Sequence, residues 1–173
     1  MENQASSKNI ILNYGLYLGI ISVLINLVAY VTGNNIPPHW SVAVVSGVAM
    51  IAFIIIGMNN FKTGNGGFMS WGQAVKIGVG LTVISALIGI VYNQIFINFI
   101  EPEYMNDIMA FQEQTWVDQG LSIEQIDGAK EMVKKFQGPV ISSAIAIVFS
   151  AFLSFIVSAI AGAIMKQSAE EQY

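Results

Sequence analysis

Four stretches of this chain, approximately 10–31, 40–58, 74–100 and 139–165, contain no acidic residue, and Lys76 is their only cation. Each can cross a hydrocarbon core, which takes about 20 residues of helix. In lipid every backbone N–H and C=O must be satisfied within the segment or in a closed barrel. These runs lack the alternation of barrel strands, so helices are expected. Composition agrees, with 54% of the 173 residues hydrophobic and 10% charged, against roughly 25% charged in soluble domains. The expected fold class is all-α: an integral membrane four-helix bundle, a single membrane domain over 1–173. The first run follows Lys8 and could pass for a signal peptide, but it is longer than a signal core of about 7–15 residues, and no small-x-small cleavage pattern follows it, so it is expected to stay in the mature protein.

The connections follow from turn chemistry. "TGNNIPPHW" is a tight turn in which Pro37 and Pro38 prevent helix continuation and Trp40 suits the headgroup level. "GMNNFKTGNGGFMS" is the second turn, and Ser70 with Gln73 forms an S-x-x-Q capping box that starts the third helix near Trp71. The glycine-rich stretch "GNGGFMSWGQAVKIG" invites comparison with a phosphate-binding loop. That loop needs Lys directly after Gly and a hydroxyl residue next, whereas Lys76 lies between Val75 and Ile77. The third connection, 101–138, holds eight of the eleven acids and reads as an acidic amphipathic helical hairpin inserted between spans three and four. Pro102 suits the first turn of its first helix and Gly120 its end in the left-handed conformation. Ser122 and Gln125 form a second capping box, and Glu131 can meet Lys135 across a turn.

Several function classes fall away. Seven lysines, no arginine and a net charge of -4 leave no basic patch for nucleic acid. The absence of cysteine removes disulfides, thiolate nucleophiles and Cys-ligated metals, and His39 alone cannot form a two-His metal site. No catalytic, cofactor-binding or metal-binding residues are expected, no cofactor is implied, and the chain reads as a non-enzyme. The spans carry no Asp, Glu or His, which weakens any proton-coupled mechanism. His39 reads as structural. Lys76 can lay its stem on apolar surface while its ammonium reaches the headgroups, and the hairpin acids read as a solvated face.

Small residues mark where membrane helices touch. Gly15, Gly19, Ser22, Asn26, Ala29 and Gly33 share one side of the first span. Gly78, Thr82, Ser85, Gly89 and Asn93 do so in the third, and Ala146, Ser150, Ser154, Ser158 and Gly162 in the fourth. The second span is weaker, with Ala43, Gly47 and Gly57 interrupted by larger residues. These stripes read first as a tightly packed bundle interior, in which Asn26 and Asn93 hydrogen-bond neighbouring helices; a polar solute pathway is the alternative.

The segment "GGFMSWGQAVKIGVGLTVISALIGIVYNQIFINFIEPEY", then "GLSIEQIDGAKEMVKKFQGPVI" and the late helix ending "AGAIMKQ", resembles the bacterial family of four-span membrane proteins called domain of unknown function 4199. The resemblance runs from about Asn9 to Lys166. Its most recognisable pieces are Ser70, Gly72, Gln73, Ala74, Lys76 and Gly78, together with Pro102 and the Lys-rich helix before Pro139. The family implies a bacterial inner (cytoplasmic) membrane protein and supplies no activity or cofactor. The expected partners are the lipid bilayer and either a second copy or another membrane protein. The expected role is a non-enzymatic bundle binding that partner, with a small transporter or channel component as the alternative. Lysines near the span ends, with Lys62 and Lys76 flanking the second short connection and none at the first, place both termini in the cytoplasm.

Overall fold

The computed structural model describes residues 6–167. Among them are four long helices, α1 (Ser7–Val31), α2 (Trp40–Gly64), α3 (Trp71–Ile95) and α6 (Pro139–Met165), and two shorter ones, α4 (Tyr104–Asp118) and α5 (Ile123–Phe136). All four long helices are apolar and long enough to span a membrane. The all-α membrane architecture expected from the runs is therefore what the chain adopts.

Local chemistry sets the helix ends. Ser70 Oγ accepts from the Gln73 N–H at 3.2 Å while Gln73 Oε1 accepts from the Ser70 N–H at 2.8 Å, so α3 starts on a complete capping box. Ser122 and Gln125 repeat the arrangement at α5. Before α3, Gly66 and Gly67 take φ of 66° and 89°, and the Gly67 N–H returns to the Lys62 carbonyl at 2.8 Å. The glycine-rich stretch is thus a turn followed by a helix cap. Gly120, at φ 80°, closes α4: its N–H reaches Val117 O and the Leu121 N–H reaches Trp116 O, the two bonds of a Schellman motif.

Four details differ from the sequence expectations. α2 does not stop near Met58 but continues to Gly64, because Met58 and Phe61 are both buried in the bundle and hold that extra turn down. The third span stays helical to Ile100, yet Phe96–Ile100 is π-helical, with the Glu101 N–H donating to Phe96 O at 2.8 Å. Pro102 lies in the turn before α4, which begins at Tyr104. The ion pair found among the described residues joins Glu113 of α4 to Lys130 of α5, in place of Glu131 with Lys135. It ties the hairpin across rather than along one helix.

Packing is uneven along the bundle axis. The buried cluster consists of Leu18, Ile54, Met58, Phe61, Met69, Ala74, Ile77 and Leu81, and runs from mid-depth to the end where α1 and α3 begin and α2 and α6 finish. Buried residues of α2 lie between Ile54 and Phe61, and those of α6 are Ser154, Ser158 and Gly162. The same end is laced by polar links: Lys62 Nζ donates to Met165 O at 3.0 Å, Trp71 Nε1 to Ala159 O at 3.0 Å, and Met69 and Gln167 exchange backbone bonds. Toward the hairpin, α2 and α6 lose their buried faces.

Candidate functional site

The glycines show where the helices touch and where they part. A Cβ on Gly15 would lie 2.7 Å from Ile84 Cβ, and one on Gly19 would lie 2.5 Å from Ile88 Cδ1, so α1 and α3 are in backbone-close contact. A Cβ on Gly78 would overlap Ser158 Oγ, and one on Gly162 would lie 2.7 Å from Ala74 Cβ, which gives α3 and α6 the same closeness. This is the small-residue packing that membrane helices use. A Cβ on Gly47 or Gly89, by contrast, meets nothing within 4 Å.

That open space is a crevice of about 350 Å³ at mid-depth, lined by all four spans. Ser22 comes from α1, Ser46 and Gly47 from α2, Ser85 and Gly89 from α3, and Ser150 from α6. Leu18 and Thr82 also line it, and the buried side chains of Ile54, Ile77 and Leu81 fill the bundle on the side of the chain's ends. Where their bonds are seen, the hydroxyls here and in the adjoining interface turn back on their own helices. Thr82 Oγ1 donates to Gly78 O at 2.9 Å, Ser150 Oγ to Ile147 O at 3.0 Å, and Ser154 Oγ to Ala151 O at 3.0 Å. The Ser158 hydroxyl, fully buried beside Gly78, has no hydrogen-bond partner.

A second cavity, of about 530 Å³, lies at the base of the hairpin. Its polar wall comprises Asn93, Gln94, Asn98, Gln137 and Ser142, and its apolar wall includes Met105, Met132, Val133 and Phe136. Beside it Phe96 is 5% exposed and meets Tyr30 and Tyr104 edge-on, with centroids 5.1 Å and 5.2 Å away, and Tyr92 at 5.7 Å. The Tyr30 hydroxyl donates to Glu101 Oε2 at 2.8 Å, linking α1 to the end of the π-helical turn. Desolvation raises the Tyr104 phenol above its ordinary pKa.

The residues singled out from sequence fall as follows. Asn26 is exposed and donates to Ser22 O of its own helix at 2.8 Å, which corrects the expectation of an interhelical bond: its side chain stays within reach of its own backbone. Asn93 lines the hairpin-side cavity. Lys76 is exposed on the second turn of α3. His39 caps α2, its Nδ1 accepting from the Ser41 N–H at 3.3 Å. Of the hairpin acids, Glu101 and Glu113 make the specific contacts just described, and Glu103 accepts from Asn106. Sequence reasoning missed Ser46, Gln94, Asn98, Gln137 and Ser142. Ser142 could have been found, because it extends the four-residue ladder of Ala146 and Ser150 back by one turn.

The exterior of the long helices carries Val31, Val148 and Ile164 at 69–80% exposure, while Thr82, Ser85, Ser154 and Ser158 are buried within. Apolar surface on this scale, wrapped around an interior that holds hydroxyls, is stable only with hydrocarbon as the solvent. The chain is a multi-pass helical membrane protein. Residues 13–167 match the family described as protein of unknown function, DUF4199, and the chain belongs to that family. No curated protein and no solved structure matches it.

Proposed function

We propose that the chain is a non-enzymatic membrane bundle that takes a transmembrane helix, from a second copy or from another membrane protein, into its half-open side. The observation that carries this reading is the crevice beside Gly47 and Gly89. Its walls are small residues, which permit close approach of a backbone, and hydroxyls, which can bond across helices. The bilayer is the bacterial inner membrane and both termini face the cytoplasm, supported by the family resemblance and by Lys62 and Lys76 at the second short connection.

Because the chain has no cysteine, single cysteines report contacts cleanly. A cysteine at Gly47 or Ser150 is expected to form disulfide-linked dimers or adducts with a membrane protein after mild oxidation in membranes. Gly89→Leu, whose Cβ meets no atom within 4 Å and whose side chain enters the crevice, is expected to abolish them while leaving the fold intact. A strictly monomeric, partnerless protein by native mass spectrometry in mild detergent would remove this reading.

A second reading, a small transporter or channel component, is favoured by the meeting of hydroxyls from all four spans at mid-depth. Asn93 lies one helical turn beyond Gly89, toward the hairpin-side cavity. In liposomes this reading requires solute flux that Asn93→Leu eliminates; no flux across a broad solute panel rejects it.

A further inference from the structure

We infer that the cavity at the hairpin base is a binding site for a membrane lipid, holding the uncharged glycerol–ester region of a glycerophospholipid while an acyl chain leaves into the bilayer beside α6. Depth is the first argument. Asn93 lies about 33 Å along α3 from Trp71 at 1.5 Å per residue, one hydrocarbon thickness of about 30 Å from the opposite boundary. Ser142, near the start of the 27-residue α6, stands at the same level. The cavity floor therefore meets the zone where ester groups reside. Tyr30, Tyr92 and Tyr104, which pack around Phe96 at the same end of the bundle, match the aromatic residues that prefer this zone.

The lining is the second argument. Asn93, Gln94 and Gln137 carry amides, Asn98 keeps one N–H beyond the bond it donates to Gln94 O at 2.7 Å, and the Ser142 hydroxyl donates to Pro139 O of its own helix, so the amides of the polar wall offer donors to ester carbonyls with no formal charge. A volume of about 530 Å³ lies within the usual range for small-molecule pockets. Met105 and Val133 give the opposite wall an adaptable apolar surface. Met132, Phe136 and Val140 are 62%, 53% and 80% exposed, so an apolar rim leads out of the cavity toward the acyl region. A soluble polar metabolite would have no use for that rim. A phosphate bound alone would find no cation among the lining residues.

The full-length protein, reconstituted in phosphatidylethanolamine vesicles, is irradiated with a phosphatidylglycerol probe bearing a diazirine beside its ester. Cross-links are expected to be enriched several-fold on 93–98 and 132–142 relative to Val148, Phe149 and Phe152, whose exposed side chains face ordinary annular lipid. Ser142→Trp, which fills the cavity from its floor, is expected to bring the ratio to parity. Should that variant misfold by circular dichroism, Met105→Trp fills the cavity from its opposite wall and carries the same expectation. Parity in the unaltered protein overturns the inference, as does enrichment that survives a folded cavity-filling variant. A protein–protein cross-link from a cysteine at Ser142, with no lipid adduct, also overturns it.

Discussion

At the scale of single residues, the interface of α3 with α6 turns on Gly78 and Ser158. The Ser158 hydroxyl is buried without a partner, so removing it forfeits no bond, while a methyl on Gly78 would collide with it. Gly78→Ala is expected to destabilise the protein by about 1–3 kcal/mol through overpacking. Ser158→Ala is expected to be neutral or slightly stabilising. The double variant should recover part of the Gly78→Ala loss, because the colliding oxygen is gone and Ser158 Cβ, 2.8 Å from the added methyl, remains. Unfolding in mixed micelles with rising sodium dodecyl sulfate measures all three; strict additivity would show that the two residues do not share a contact. Both residues stand out in sequence as members of small-residue stripes. Their pairing does not, since spacing along one helix says which side a residue occupies and nothing about the residue opposite.

At the scale of elements, the hairpin is held by its caps and one cross-link more than by burial. Ile126 is the buried residue of α5, and α4 has none. Gly120 at φ 80° is therefore a point of leverage. Gly120→Ala is expected to cost about 1 kcal/mol through left-handed strain. Hydrogen exchange should register faster amide exchange through α4 and α5 and no change in α1, α2 or α6. The Glu113–Lys130 pair is partly exposed, so a double-mutant cycle is expected to return a coupling of at most about 1 kcal/mol. A larger value would mean the pair lies in a drier setting than the isolated chain provides. The capping boxes at Ser70 and Ser122 were readable from four letters each, because the bonds run between residues three apart. The π-helical turn at Phe96–Ile100 had no such signature. It places Phe96 among Tyr30, Tyr92 and Tyr104, of which Tyr30 is distant in sequence.

At the scale of the whole molecule, the bundle is closed and laced at one end and open at the other. With the proposed orientation, the open end and its hairpin face away from the cytoplasm. Single cysteines at Gly64 and Gly120 should report this in intact cells: a membrane-impermeant thiol reagent is expected to label Gly120→Cys alone. Labelling of Gly64→Cys alone would invert the orientation and move any partner of the hairpin to the other compartment.

The four spans, the hairpin and most helix ends could be derived from the amino-acid sequence, because long apolar runs without an acidic residue have a single way to satisfy their backbone in lipid and caps act within a few residues. Tertiary structure alone decided which members of each small-residue stripe touch a neighbour and which face open space. Gly15 and Gly89 look alike as letters, yet one lies against Ile84 and the other opens onto a crevice. The physical reason is that contact between helices depends on where their axes approach and diverge, a property of the assembled bundle that is not carried by any one span.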